Sequence, residues 1–247
     1  MAYRLLWVGI EADAPADVHV QHVRATLLEP EDLALVISHT GLAYARRFPD
    51  PLPHIPLLAP ASALSVLSRL DDLFAVPSLP QMARTIAVSF ELGPLSLDGV
   101  PAAIAGAVQL ASFPVAHAVP SAALRFTAQE ETVTFSSDTG ACDALIAAAR
   151  DARLFLCEAT YLAASPAELS RHGHLTPELA GAAASRAGTR QLVLTHLARA
   201  DDAAAAIAAA GRHFGAAPVT VATPGTTIST AAPRTPGELP YPHAMPR

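Results

Sequence analysis

Three histidines and one aspartate stand just past apolar runs in this chain. Residues 192–195 lead into His196, residues 33–37 lead through Ser38 into His39, an extended apolar segment over residues 108–115 leads into His117, and residues 133–135 lead through Ser136 and Ser137 into Asp138. Imidazole nitrogen and carboxylate oxygen are the ligands that zinc and similar divalent cations take, and the four side chains converge if their strands share one sheet edge. The set is a constellation gathered from four places and not a contiguous motif. Asp138 taken by itself reads as an ordinary helix cap, because an Ala-rich helix follows it.

The elements that must position these groups are legible as changes of hydrophobic period. Residues 133–161 read VTFSSDTGACDALIAAARDARLFLCEATY. This is a strand, a turn at Thr139 and Gly140, a helix ending near Arg150, and a second apolar strand that stops at Glu158. Such a β-α-β unit gathers its acidic residues at the carboxyl edge of the sheet, where open α/β sheets keep their sites. Upstream, residues 3–8 read as a strand. His19 and His22 follow on a segment that could be helical through Leu28; three apart and with no third ligand nearby in sequence, they are expected to face solvent.

The prolines of residues 48–60 rule out a helix and give an extended surface path, with His54 an exposed loop residue. Residues 61–70 have helical periodicity, and residues 85–97 read as two short strands around Gly93 and Pro94. Residues 108–112 and 124–127 supply central antiparallel strands. After Glu158, a loop over residues 163–173 reaches His172 and His174. Thr176, Pro177 and Glu178 then open a helix with N-cap, first-turn proline and first-turn acid in order, and Gly188 closes it. Asp201 is expected to cap a helix running to His213, with final strands at residues 218–222 and 226–229.

At these positions the chain resembles a known family. SSDTGACDAL is similar to the Gly-Asp-Thr stretch of metallo-β-lactamase-fold hydrolases, LCEATYL to the following strand with its Glu, and HLTPELAGAAASRAGTRQLVLTHL to their helix, strand and terminal Thr-His. FPVAHAVPSAALRF resembles their central His segment, and the nearest pattern is the ribonuclease Z and arylsulfatase-like branch. The likeness spans residues 33–229 and is concentrated after about residue 113. The family's H-x-H-x-D-H signature is largely missing: the matching place reads ISHTGLAYARRF, where His39 answers to the first histidine and the chain then runs on to Ala43, Tyr44 and Arg46. Three of the usual metal ligands are absent.

The resemblance implies an α/β (α+β) fold, a four-layer αβ/βα metallo-β-lactamase sandwich. The family opens with an additional β-hairpin that this chain begins too late to contain, so an exposed or partner-covered sheet edge is expected. In the family two zinc ions share a bridging carboxylate and activate the attacking water. Asp138 matches the bridging residue, His117 and His39 match ligands of the first metal, and His196 matches a ligand of the second. With these four residues one zinc ion can be held and a full two-metal site cannot, because a catalytic zinc normally has three protein ligands plus water. A histidine at the His174 position contacts the scissile phosphate or helps the leaving group depart in that branch, which makes Asp138 and His174 the expected catalytic pair.

Composition bounds the remainder. The chain has 247 residues, 51% of them hydrophobic, enough for one large α/β domain over residues 1–230. The tail from Ala231 carries five prolines in 17 residues and is expected to be disordered. Net charge is −6, and the basic residues are all arginine, so the chain has no overall cationic footprint for nucleic acid. Cys142 and Cys157, the only cysteines, fit reduced thiols of a cytoplasmic protein. No apolar run approaches the roughly 20 residues of a membrane helix.

Two function classes follow from these readings. One is a metal-dependent hydrolase acting through a reduced site on an ester or phosphodiester, small-molecule or nucleic-acid. The other is a catalytically inactive relative that keeps the fold as a binding or assembly module, for instance as a homodimer.

Overall fold

Many runs rich in β-branched and large apolar residues become strands here, and the Ala-rich runs after residue 140 become helices. The computed structural model describes residues 6–9, 24–27, 54–73, 78, 86, 87, 90–223 and 228. At the N-terminal end β1 (Leu6–Gly9) and β2 (Arg24–Leu27) pair antiparallel. The helical reading through Leu28 is therefore corrected: Thr26 sits opposite Trp7 in a ladder, and pairing with a distant strand overrides local propensity. His19 and His22 lie outside the described residues.

The proline-rich path ends in β3 (Ile55–Ala59), which is extended as expected, with His54 exposed just ahead of it. Helix α1 (Ala61–Leu73) follows, and β4 (Phe90–Pro94) returns to pair parallel with β3. Gly93 and Pro94 thus sit within one strand and do not separate two. Among the described residues this sheet has only two strands, so each has an edge on which a proline is tolerated. The amides of Ile86 and Ala87 donate to the buried Asp71 carboxylate at 2.6 and 3.3 Å, tying the approach to β4 onto α1.

The large sheet is built from β5 (Ala102–Ala105), β6 (Val108–Val115), β7 (Ser121–Ala128) and β8 (Glu131–Phe135), then α2 (Asp143–Ala149) and β9 (Leu154–Glu158). Two helices come next, α3 (Pro166–His172) and α4 (Pro177–Ala187). After them β10 (Leu192–Thr195), a 3-10 turn at Ala200–Asp202, α5 (Ala203–Phe214) and β11 (Val219–Val221) complete the order. Helix α3 occupies residues read as loop. Its signal was a capping box, in which Ser165 accepts from the Glu168 amide while the Glu168 carboxylate receives the Ser165 N–H. Helix α4 begins at Thr176 and stops at Gly188 as its caps foretold. Asp201 lies in the 3-10 turn and does not cap α5, whose N-cap Asp202 makes no side-chain capping bond. Of the last expected strand only Ile228 is described, and it is not in a strand.

Strand order is β11-β10-β9-β8-β7-β6-β5, parallel from β11 to β8 and antiparallel from β8 to β5. Because β7 runs against both neighbours, β6 points the same way as β8, β9 and β10. With β11, which is parallel to β10, five strands therefore end at one edge. Helices α2, α4 and α5 cover one face, burying Leu145, Phe155, Cys157, Leu192 and Leu194, whereas Leu154, Leu156 and Val193 bury against the other. The described residues thus supply a helix layer and a main sheet of the expected sandwich. None of their helices is long and apolar enough to cross a membrane.

The alanine-rich helices α4 and α5 pack backbone to backbone. A Cβ built on the buried Gly181 would overlap the carbonyl oxygen of Ala210 and stand 3.0 Å from its Cα. Helix propensity favours alanine over glycine by about 1 kcal/mol. The obstacle here is main chain, which cannot rotate aside. Gly181→Ala is therefore expected to cost about 1–2 kcal/mol net through overpacking. Denaturant titration checks this, and an unchanged midpoint would show that the two helices separate freely.

Candidate metal centre

The shared strand direction delivers the site. His117 lies two residues past β6, Asp138 three past β8, Glu158 ends β9 with Thr160 just beyond, and His196 follows β10 directly. Two of these exits bend through left-handed backbone at residues other than glycine, Ser137 (φ 53°) and His196 (φ 59°). Such conformations cost roughly 1–2 kcal/mol each and persist where surrounding bonds over-determine them. Here the Ser137 hydroxyl donates to the Ala122 carbonyl at 2.6 Å and the Ser121 hydroxyl to the Asp138 carbonyl at 2.8 Å. The Gly140 amide donates to Ala116 at 2.6 Å, joining the Asp138 turn to the His117 strand end. Helix α2 starts only at Asp143, with Cys142 at its N-cap, so Asp138 is not the helix cap it resembles in isolation.

The side chains converge. His117 Nε2 lies 4.0 Å from Asp138 Oδ2, and His196 Nδ1 lies 3.6 Å from Asp138 Oδ1. The His174 ring sits between, its centroid 5.0 Å from that of His117 and 5.5 Å from that of His196, with Tyr161 edge-on at 5.7 Å. His117, Asp138 and His174 each offer a ligand atom, and these atoms lie within 4.8 Å of one another. The Asp138 side chain is 42% exposed while those of His117 and His174 are 13% exposed, which leaves the carboxylate as the open side of the cluster.

Each ring is held by one nitrogen. Nδ1 of His117 donates to the Gly173 carbonyl (3.0 Å) and Nδ1 of His174 to Glu158 Oε1 (2.8 Å), since neither oxygen has a proton to give. Thr160 gives its single hydroxyl proton to Glu158 Oε2 at 2.7 Å, so the 2.7 Å contact with His196 Nδ1 is a donation from the ring to Thr160. In all three imidazoles Nε2 is then the nitrogen carrying a lone pair when the ring is neutral. Metal-binding histidines show this arrangement, with an acceptor fixing the far nitrogen.

Glu158 is the residue the ligand-based reading of the sequence left out. Its side chain is 1% exposed and accepts five hydrogen bonds, from His174, the Thr160 hydroxyl, and the amides of Thr139, Thr160 and Leu175. Burial alone pushes its carboxyl up, but the His174 bond, the Thr139 and Thr160 bonds and the His174 charge together bring it below the ordinary glutamate value. The same bond is the chief reason that His174 is raised above an ordinary histidine; partial burial opposes it and the charges of Glu158 and Asp138 reinforce it. A signal was present in the sequence. Glu158 closes the wholly apolar run Leu-Phe-Leu-Cys, and where a charge is buried with such a run it is kept only where partners meet it.

Of the expected ligands, the structure brings together His117, Asp138 and His196 and adds His174, which had been expected beside the substrate. His39 lies outside the described residues. His54 belongs to neither of the two ligand groups found among those residues. The second group, Glu158, His174 and His196, is a hydrogen-bond network and not a cation site: five donors already crowd a carboxylate with about four lone-pair positions. The histidine and carboxylate donors of the first group, held in this way, fit the zinc expected from the sequence.

Comparison with known proteins agrees with this fold. The model of the beta-lactamase superfamily domain matches residues 33–197. An uncharacterized protein of Mycobacterium leprae is 40% identical over 104 residues, 41% of this chain and 35% of that protein. The ribonuclease Z of Salinispora arenicola is 43% identical over 81 residues, 32% of this chain and 26% of that enzyme. The matches thus span about a third or less of those relatives. Among solved structures, the metallo-beta-lactamase fold protein YhfI from Bacillus subtilis superposes with a TM-score of 0.62 at 20% identity, covering 78% of this chain and 72% of that one.

Proposed function

Because the chain belongs to the beta-lactamase superfamily, we propose that it is a metal-dependent hydrolase of phosphodiesters or related esters. The observation that carries this reading is the meeting of His117, Asp138 and His174 at the carboxyl edge of the sheet with ligand atoms within 4.8 Å. The local likeness to a ribonuclease Z supports a phosphodiester as the substrate class. His39 and His196 complete the set of ligand candidates. Held by such side chains, a divalent cation such as zinc supplies Lewis acidity and lowers the pKa of an attacking water.

The chain's own residues supply orientation and access. Gly173 and Glu158 hold the His117 and His174 rings, and Asp138 directs one carboxylate oxygen toward His117 and the other toward His196. Its exposure gives substrate an approach from the solvent side. Glu158, enclosed and fully bonded, keeps the network rigid beneath the reacting centre.

The direct test is turnover of bis-nitrophenyl phosphate by the full chain in the presence of zinc or manganese. Activity is expected to need the metal and to fall to the blank in Asp138→Ala. Absence of turnover with either metal would instead favour the binding-module reading, to which the missing H-x-H-x-D-H residues point. Turnover that survives Asp138→Ala would place the chemistry elsewhere in the chain.

A further inference from the structure

We propose that His174 is the third ligand of a single-ion site completed by His117 and Asp138, in place of ligands that the H-x-H-x-D-H segment would contribute. The inference rests on the preceding reading that this edge of the sheet holds a cation. It replaces the expectation that His174 is reserved for the substrate.

Four observations converge on it. The segment that should carry most ligands reads ISHTGLAYARRF and retains only His39, so a conventional pair of ions has too few donors. Among the described residues, the one ligand group that contains Asp138 is completed by His117 and His174 and not by His196. His174 also has the arrangement a ligand needs: its Nδ1–H is fixed on the Glu158 carboxylate at 2.8 Å, a carboxylate–histidine pair that directs Nε2 away from its anchor. His117 is fixed likewise on the Gly173 carbonyl. Finally, His196 has another occupation. Its ring stacks on His174 at 30°, and the nitrogen it turns to Asp138, 3.6 Å from Oδ1, is Nδ1, whose proton is given to Thr160 and which therefore has no lone pair for a cation beside that carboxylate.

Among the described residues, two imidazoles and one carboxylate leave a fourth position open. That is the donor count of a catalytic zinc site, whose bonds run to about 2.0–2.2 Å. The Asp138 side is the exposed one, so the open position faces solvent.

The test uses the full chain and zinc or cobalt alone, with no substrate. One equivalent of metal is expected by elemental analysis after dialysis. In competition with a chromophoric chelator, His174→Gln and His117→Gln are each expected to weaken binding by roughly a hundredfold or more, beyond the 10–100-fold carried by an orienting residue. His196→Gln should weaken it less than tenfold. Thermal melts of the metal-free variants establish that each is folded. A readout on the unaltered protein avoids variants altogether: in long-range proton–nitrogen spectra, Nε2 of His117 and His174 should shift on zinc addition while that of His196 does not.

An unmoved His174 resonance, two tightly retained equivalents, or wild-type affinity in His174→Gln would each overturn the proposal. These outcomes separate it from the hydrolase reading. Metal held through His174 without phosphodiester turnover would defeat the activity alone. Turnover lost in His174→Gln at full metal content would defeat the ligand assignment alone.

Discussion

Glu158→Ala is expected to lower stability by about 3–5 kcal/mol, the range for removing one partner of a buried, paired charge. For a chain of this size that corresponds to a fall in Tm of about 6–20 °C. The substitution strips the acceptor from three amide groups, those of Thr139, Thr160 and Leu175, and from the Thr160 hydroxyl and the His174 ring. Each buried donor left unmet costs about 1–3 kcal/mol. Water entering the cavity recovers part of that sum. Glu158→Gln preserves shape but turns an NH₂ toward a cluster of donors, so it should fall between alanine and wild type. Urea denaturation of the three proteins without metal decides the matter, and a loss below about 1 kcal/mol for alanine would mean that the five bonds are not cooperating as their geometry indicates.

The second large effect is expected at Gly173, where backbone and site meet. Its φ of +69° lies in the left-handed region, and a Cβ there would stand 2.6 Å from His117 Cα and 2.8 Å from the Ala116 carbonyl. Only main chain could give way. Gly173→Ala should therefore cost about 2–4 kcal/mol, combining left-handed strain with overpacking. The displaced residue is His117, whose ring Gly173 also anchors. Metal affinity should consequently fall with stability, unlike Gly140→Ala, whose Cβ would meet nothing nearer than 3.5 Å. Parallel melts and chelator competitions on these two variants test the claim. Equal behaviour of Gly173→Ala and wild type would show that the loop moves without disturbing the His117 strand.

Local chemistry wrote much of this protein into its sequence. Thr176, Pro177 and Glu178 satisfy and complement the first turn of α4, so that helix begins where its own residues dictate. The runs before Asp138 and His196 are apolar because those strands are buried, and a polar residue ending each run marks the sheet edge. These are short-range effects, carried by neighbours in the chain. The same holds for α3, whose Ser165 and Glu168 capping box was present to be read.

Tertiary structure alone decided the rest. Arg24–Leu27 is a strand because a partner strand lies beside it, and Phe90–Pro94 is one continuous strand because β3 is there to pair. The site depends on direction as well as position. His117 joins Asp138 and His196 only because two antiparallel steps through β7 return β6 to the orientation of β8, β9 and β10. The roles of His174 and Glu158 were hidden for a related reason. A histidine in a loop and an acid at a strand end acquire their roles from hydrogen bonds across sequence separations of 14 to 19 residues. Such bonds exist only once burial has excluded water from the edge, which makes each unmet donor costly and the network worth completing.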